Sequence, residues 1–314
     1  MAWSSQSTEP PSSGLADDRD EPLFGEGFLE LLEYLHVIAR KILSGQMKAE
    51  RRSRRKGVSV EFADHRPYAP GDDFRFIDWS VFFRTEQFFL KLFEEEEDLH
   101  IYLLLDCSGS MDFGVPYKFH YARRLAAAIG YLGLAGLDRV SVIPFSETIP
   151  QTVADTLQLR GKGKVFRLLS FLEGRRTGGR TDLRSSMQVF SASKRKRGLA
   201  VLISDLYDEQ GVLPGIDALR FHKFEPYVVH VVSPQETHPG LLGDIRLLDS
   251  ESDRHRDVTL NENLLRRYRE TFSSFCRSIE QYCRSKEVGY VRCRTDLPFQ
   301  DAVLHMLRRG RLLQ

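Results

Sequence analysis

The sequence predicts an α/β chain: a doubly wound, mostly parallel sheet with an N-terminal extension of helix and β structure. Three observations carry this. Ile101 to Leu105 is an unbroken apolar run, the pattern of a strand buried on both faces of a parallel sheet. Gly198 to Asp205 repeats that pattern and, like the first run, ends in an aspartate. Between and after them, strand patterns alternate with helix patterns, as right-handed β-α-β crossovers require.

In chain order, residues 1–22 are rich in Ser, Pro, Asp and Glu and have no apolar core. They read as a disordered tail, not a secretory signal. Phe28, Leu31, Leu32, Leu35, Ile38, Ala39 and Ile42 follow at helical spacing, so an amphipathic helix is expected to dock its apolar face on a neighbour. The first strand at 101–105 leads into residues 117–137, which have few charges and many small apolar residues and predict a helix buried on most of its circumference. Val140 to Phe145 reads as a strand, residues 164–172 and 183–192 as helices, and Tyr227 to Val232 as a further strand in which His230 packs and does not ligate. Leu264, Leu265, Tyr268, Phe272, Phe275, Cys276, Ile279, Tyr282 and Cys283 form the apolar stripe of a long helix. A last strand at 288–293 and a closing helix at 299–307 complete the domain, giving three segments: tail 1–22, extension 23–98 and α/β domain 99–314.

Composition narrows the function. With 314 residues, 41% hydrophobic, and a net charge of +1, the chain can bury a large core and carries no overall bias toward nucleic acid. No apolar stretch is long enough to span a bilayer. The four cysteines, at 107, 276, 283 and 293, lack zinc spacing and are expected to stay reduced in a cytoplasmic protein. The run 48–56 carries six positive residues and one acid, and Glu94 to Asp98 is uniformly acidic. The two could compensate each other within the fold. RNA binding or peripheral contact with an anionic membrane through 48–56 stays open as an alternative.

The chemistry concentrates where the first strand ends. Asp106-Cys107-Ser108-Gly109-Ser110 brings one carboxylate and two hydroxyls to a tight turn, and the carboxyl end of a parallel strand is where open α/β sheets hold ligands. These are hard oxygen donors, suited to Mg²⁺ or Mn²⁺ and not to zinc. On its own the motif could equally be a turn or helix cap. Thr177-Gly178-Gly179-Arg180-Thr181 and the strand ending in Asp205 add two more oxygen-bearing junctions, so three loops can converge on one sheet edge.

Asp106, Ser108, Ser110, Thr181 and Asp205, in that order, resemble the metal-ion-dependent adhesion site of von Willebrand factor A domains, a Rossmann-like fold; the likeness covers about residues 98–295. It implies that Ser108, Ser110 and Thr181 touch a metal through hydroxyls. Asp106 and Asp205 would act directly or through water, and an acidic residue of a partner protein would complete the shell. Arg180 interrupts the commoner Gly-Gly-Thr order. Asp112 and Asp182 are nearby acids expected to lie outside the ligand set.

Upstream, Arg66-x-Tyr68-x-x-Gly71-Asp72-Asp73-x-Arg75-x-Ile77-Asp78-Trp79 resembles the signature of the bacterial domain-of-unknown-function 58 family. Asp64, His65, Asp72, Asp73 and Asp78 could be mistaken for a catalytic cluster. Asp72, Arg75, Asp78 and Arg84 are instead expected to form internal ion pairs. The resemblance implies a non-enzymatic, metal-dependent interaction module, an adaptor or co-chaperone for a MoxR-type AAA+ ATPase and its client proteins. The sequence contains no Gly-x-x-x-x-Gly-Lys-Ser/Thr loop, so the ATPase would be a separate chain. A metal-assisted phosphohydrolase using the same carboxylates remains the enzymatic alternative.

Overall fold

The structure is a computed structural model that describes residues 22–53, 64–70, 72–92, 99–149, 156–193, 195–208, 210–240, 242–248 and 255–308. The chain forms two compact units, one built from residues up to 43 together with 99 onward, the other from 44–98. Helix α1 (Phe28–Ser53) begins in the first and ends in the second. The expected extension 23–98 is therefore divided. Phe28, Leu32, Leu35 and Ala39 of α1 are buried in the same cluster as the core of the α/β unit, because their spacing places them on one face of the helix. The side chains of 48–53 and the residues 54–56 and 94–98, the basic and acidic runs, lie outside the described residues.

In the smaller unit, β1 (Asp64–Pro67) pairs antiparallel with β2 (Phe89–Leu92), and α2 (Trp79–Thr85) lies between them in sequence. The expected ion pairs are differently arranged. Arg66 binds Asp72 at 2.7 Å, and Arg75 binds Asp73 at 2.6 Å. Asp78 caps α2 by accepting from the Ser80 and Val81 amides at 3.0 and 3.3 Å. Arg84 forms no ion pair among the described residues. Short sequence separation decides this, since Asp at the start of a turn or helix is satisfied first by the nearest free amides.

The α/β unit is a six-stranded sheet: β3 (His100–Asp106), β4 (Arg139–Phe145), β5 (Leu157–Arg160), β6 (Leu199–Ser204), β7 (Glu225–Val232) and β10 (Gly289–Arg294), in the order β10-β7-β6-β3-β4-β5. Every pairing is parallel except β5 with β4. Alternation along β3 divides the core. Ile101, Leu103 and Leu105 face one layer with α1, α3 (Lys118–Ala135), α4 (Val165–Glu173) and α9 (Phe299–Arg308). Tyr102 and Leu104 face the other, with α5 (Leu183–Ala192), α6 (Val212–Phe221) and α8 (Glu262–Ser285). Gly133 lets α3 lie close to the sheet: a Cβ there would come within 2.6 Å of Ile101 Cδ1 and 2.9 Å of Val140 Cγ2. The sequence reading lacked β5, α6 and the antiparallel hairpin β8 (Gly243–Leu248) and β9 (His255–Leu260) that follows the one-turn α7 (Pro234–Thr237).

After β4 and β5 the chain crosses back to the other side of β3 to form β6, so the direction of winding reverses between β3 and β6. Their carboxyl ends flank the crevice that such a reversal opens. Among the described residues, no helix is long and apolar enough to cross a membrane. The four cysteines are free and buried.

Two measurements test this packing. Leu35→Ala should cost about 2–5 kcal/mol in denaturant unfolding of the full chain, whereas Val37→Ala, on the exposed face of the same helix, should change it by less than about 0.5 kcal/mol. Equal effects would place α1 outside the core. His230 is fully buried with Nδ1 2.9 Å from the Tyr290 hydroxyl, and burial lowers its pKa from 6.5 to about 3. A depressed histidine pKa adds stability that is complete above the unfolded value and is lost as pH falls toward the folded one. Stability should therefore fall on acidification from 6.5 toward 3, and His230→Gln should flatten that slope; an unchanged slope would contradict a neutral, buried imidazole.

Candidate metal centre

β3 delivers Asp106 to the crevice fully buried. Its two oxygens have separate partners: Oδ1 accepts from the Ser108 amide at 2.9 Å and Oδ2 from the Ser204 hydroxyl at 2.6 Å. The chain then turns through a short 3-10 segment, Gly109–Met111, for which Ser108 stands at the N-cap position without using its side chain as a cap. The Ser108 hydroxyl lies instead 3.0 Å from that of Ser110, both buried. The Asp106 carboxylate thus closes a local turn through the Ser108 amide, as the turn alternative expects, while no side-chain cap uses the Ser108 hydroxyl.

The glycine-rich loop is fastened to this turn by its backbone. The Gly178 amide donates to the Cys107 carbonyl at 2.8 Å, and the Gly109 amide donates to the Gly179 carbonyl at 2.9 Å. Gly179 has φ +80°, a left-handed conformation that glycine adopts without strain. Thr181, two residues on, is half-buried, while Gly178, Gly179 and Arg180 are exposed at the rim. Asp182 is used elsewhere, capping α5 through the Ser185 amide at 2.8 Å, and Asp112 is exposed.

Asp205, just beyond β6, is buried and holds a partner that the sequence reading did not single out. The Lys118 ammonium, itself fully buried, lies 2.7 Å from Asp205 Oδ2 and 2.6 Å from Glu236 Oε1. Glu236 is also fully buried; its Oε2 accepts from the Ser233 amide at 2.7 Å in the capping box of α7. Ser204 precedes Asp205 and Ser233-x-x-Glu236 is a capping-box spacing, but neither signal reports that Glu236 and Asp205 share Lys118.

The charges do not balance. Asp205 and Glu236 share one ammonium while Asp106 accepts from a neutral amide and a neutral hydroxyl, so these four buried side chains carry a formal surplus of two negative charges. Burial, and then the charge of Asp205, push the Asp106 carboxyl up to about 7. Burial opposes the charge on Lys118, but Asp205 and Glu236 outweigh it and hold its pKa above the ordinary value. Burial also pushes the Cys107 thiol up, leaving it a poor nucleophile. Among the described residues there is no group of three His, Cys, Asp or Glu side chains set to hold a metal ion; three of the five candidate donors are hydroxyls. The set nevertheless fits a hard divalent cation in donor type and in charge. Asp106, Ser108 and Ser110 are brought together directly, Asp205 is close enough to act on Asp106 electrostatically, and the Thr181 loop is bonded to the same turn.

The chain is similar to several known proteins. The chain is 24% identical over 307 residues to the "Uncharacterized protein Rv1480" of Mycobacterium tuberculosis, covering 96% of this chain and 95% of the relative. Similar solved structures include BatB from Bacteroides thetaiotaomicron (15% identity, TM-score 0.40, 67% of this chain and 98% of that one). Another is a von Willebrand factor type A protein from Catenulispora acidiphila (12% identity, TM-score 0.38, 68% and 42%). The family model described as "Protein of unknown function DUF58" matches residues 64–277, which take in the Arg66–Trp79 signature and all five candidate donors, and the chain belongs to that family.

Proposed function

We propose that this protein is a non-enzymatic, cytoplasmic interaction module that binds Mg²⁺ or Mn²⁺ through Asp106, Ser108, Ser110, Thr181 and Asp205, and captures a partner's Asp or Glu there. The formal surplus of two negative charges on buried carboxylates, beside the paired hydroxyls of Ser108 and Ser110, is the observation that carries the reading. A bound divalent cation supplies a point of positive charge for an external carboxylate.

The chain's own residues prepare that event. Ser204 and the Ser108 amide fix the orientation of Asp106. Lys118 and the Tyr207 amide, 3.3 Å from Oδ1, fix Asp205. Neutral hydroxyls at 108, 110 and 181 add donors without adding charge, so the site keeps appetite for a further anion. Because Asp106, Ser108, Ser110 and Asp205 are buried and Thr181 is half-buried, a partner's carboxylate would enter beside Thr181, at the exposed rim of Gly178, Gly179 and Arg180. The family resemblance supplies the partner in this proposal: a MoxR-type AAA+ ATPase, or a client protein that the ATPase acts on.

Calorimetric titration of the metal-stripped chain with Mg²⁺ should give one site that disappears in Asp106→Ala. Thr181→Ala should weaken Mg²⁺ binding by about tenfold or more, yet shift unfolding stability by less than about 0.5 kcal/mol. Association with a MoxR-type ATPase should be lost in EDTA and in Asp106→Ala. A variant that loses the metal while keeping full affinity for the ATPase would rule the mechanism out.

A further inference from the structure

The residues that a metal-binding reading leaves unexplained are Lys118 and Glu236. A lysine with no exposed surface normally sheds its proton or finds carboxylates, and this one has found two. The same ammonium also lies 5.1 Å from the centre of the Tyr207 ring and 5.7 Å from that of Phe113. Two carboxylates and two ring faces surround it, so its place is built by four segments: the 112–117 turn, α3, the residues after β6, and α7. The last is tied to the first a second time, since Gln235 donates to the Val115 carbonyl at 2.8 Å and accepts from its amide at 3.3 Å. If Lys118 served only to neutralise Asp205, Glu236 would be superfluous; a buried glutamate brought to within 2.6 Å restores one of the negative charges that the lysine cancels.

Building on the proposed metal site, we infer that the Lys118–Glu236 pair sets the charge that the site offers to a cation. Lys118 holds Asp205 in place by a direct contact, and Glu236 cancels the electrostatic cost that the ammonium would otherwise impose on a second cation nearby. The pair adds no net charge. The surplus therefore stays at two, matched to a divalent ion, while the orientation of Asp205 is fixed by a hydrogen bond that neutral residues would supply more weakly. Lys118 and Glu236 are positioning residues on this account and touch neither metal nor partner.

The test is Mg²⁺ calorimetry on the full chain in three forms: wild type, Glu236→Gln, and the double variant Lys118→Met with Glu236→Gln. Thermal unfolding confirms that each is folded. Glu236→Gln leaves a surplus of one and should weaken Mg²⁺ binding by about tenfold or more, whereas the double variant returns the surplus to two and should bind Mg²⁺ more tightly than Glu236→Gln, short of wild type by what Lys118 contributes in holding Asp205. Affinity would then follow the charge sum. Two results overturn the inference while leaving the metal site standing: both variants binding Mg²⁺ as wild type does, or the folded double variant binding as weakly as Glu236→Gln. Absence of Mg²⁺ binding in wild type would instead remove the proposed site, and this inference with it.

Discussion

Two aspartates, one at the end of each of two neighbouring parallel strands, are buried side by side at the point where the sheet's winding reverses, and the charge this creates shapes everything around them. Removing a carboxylate from water costs several kcal/mol even after relaxation, so each must be surrounded by donors or countercharge. Asp106 receives an amide and a hydroxyl, and Asp205 receives an amide and an ammonium. The ammonium in turn requires Glu236, which requires the α7 capping box to hold its other oxygen. A chain of polar contacts thus runs from β3 through β6 and α3 to the segment after β7. Burial of this kind is poor economy for stability alone, which is the physical reason to look for a ligand that completes it.

The surrounding fold keeps that polar cluster in place. A sheet buried on both faces has little freedom to shift register, because a slip by one residue would exchange Ile101, Leu103 and Leu105 with Tyr102 and Leu104 between two differently shaped layers. Helix α1 belongs to this scaffold. Its Phe28 ring lies 5.7 Å from that of Phe299 on α9, and Glu33 pairs with Lys162 at 2.7 Å ahead of α4. The exposed pair adds little, but the buried face of α1 closes the layer over α3 and α9. The first part of the N-terminal extension is therefore part of the core of the α/β unit.

Strand and helix periodicity made most of this legible. The runs at 101–105 and 198–205 could be read because strands buried on both faces are continuous apolar blocks, α3 because residues 117–137 are mostly small and apolar with few charges, and α8 because its apolar residues recur at helical spacing. β5 escaped because it is only four residues long and buries two, and β8 and β9 because they bury almost no side chains and so carry no continuous apolar block. The five candidate donors were legible as a motif. Lys118 and Glu236 were not, because nothing in local sequence reports that residues 118 positions apart share a buried ion pair. The pairing of Asp72 with Arg66, in place of Arg75 or Arg84, was likewise a matter of turn geometry that spacing alone does not encode.

The most direct test of the account is a crystal structure grown with Mn²⁺, with anomalous scattering used to locate the ion. The account predicts one strong anomalous peak among Asp106, Ser108, Ser110, Thr181 and Asp205, with Lys118 still bonded to Asp205 and Glu236. A refined structure at saturating Mn²⁺ with no peak there, and with those side chains satisfied only by one another and by Lys118, would contradict it.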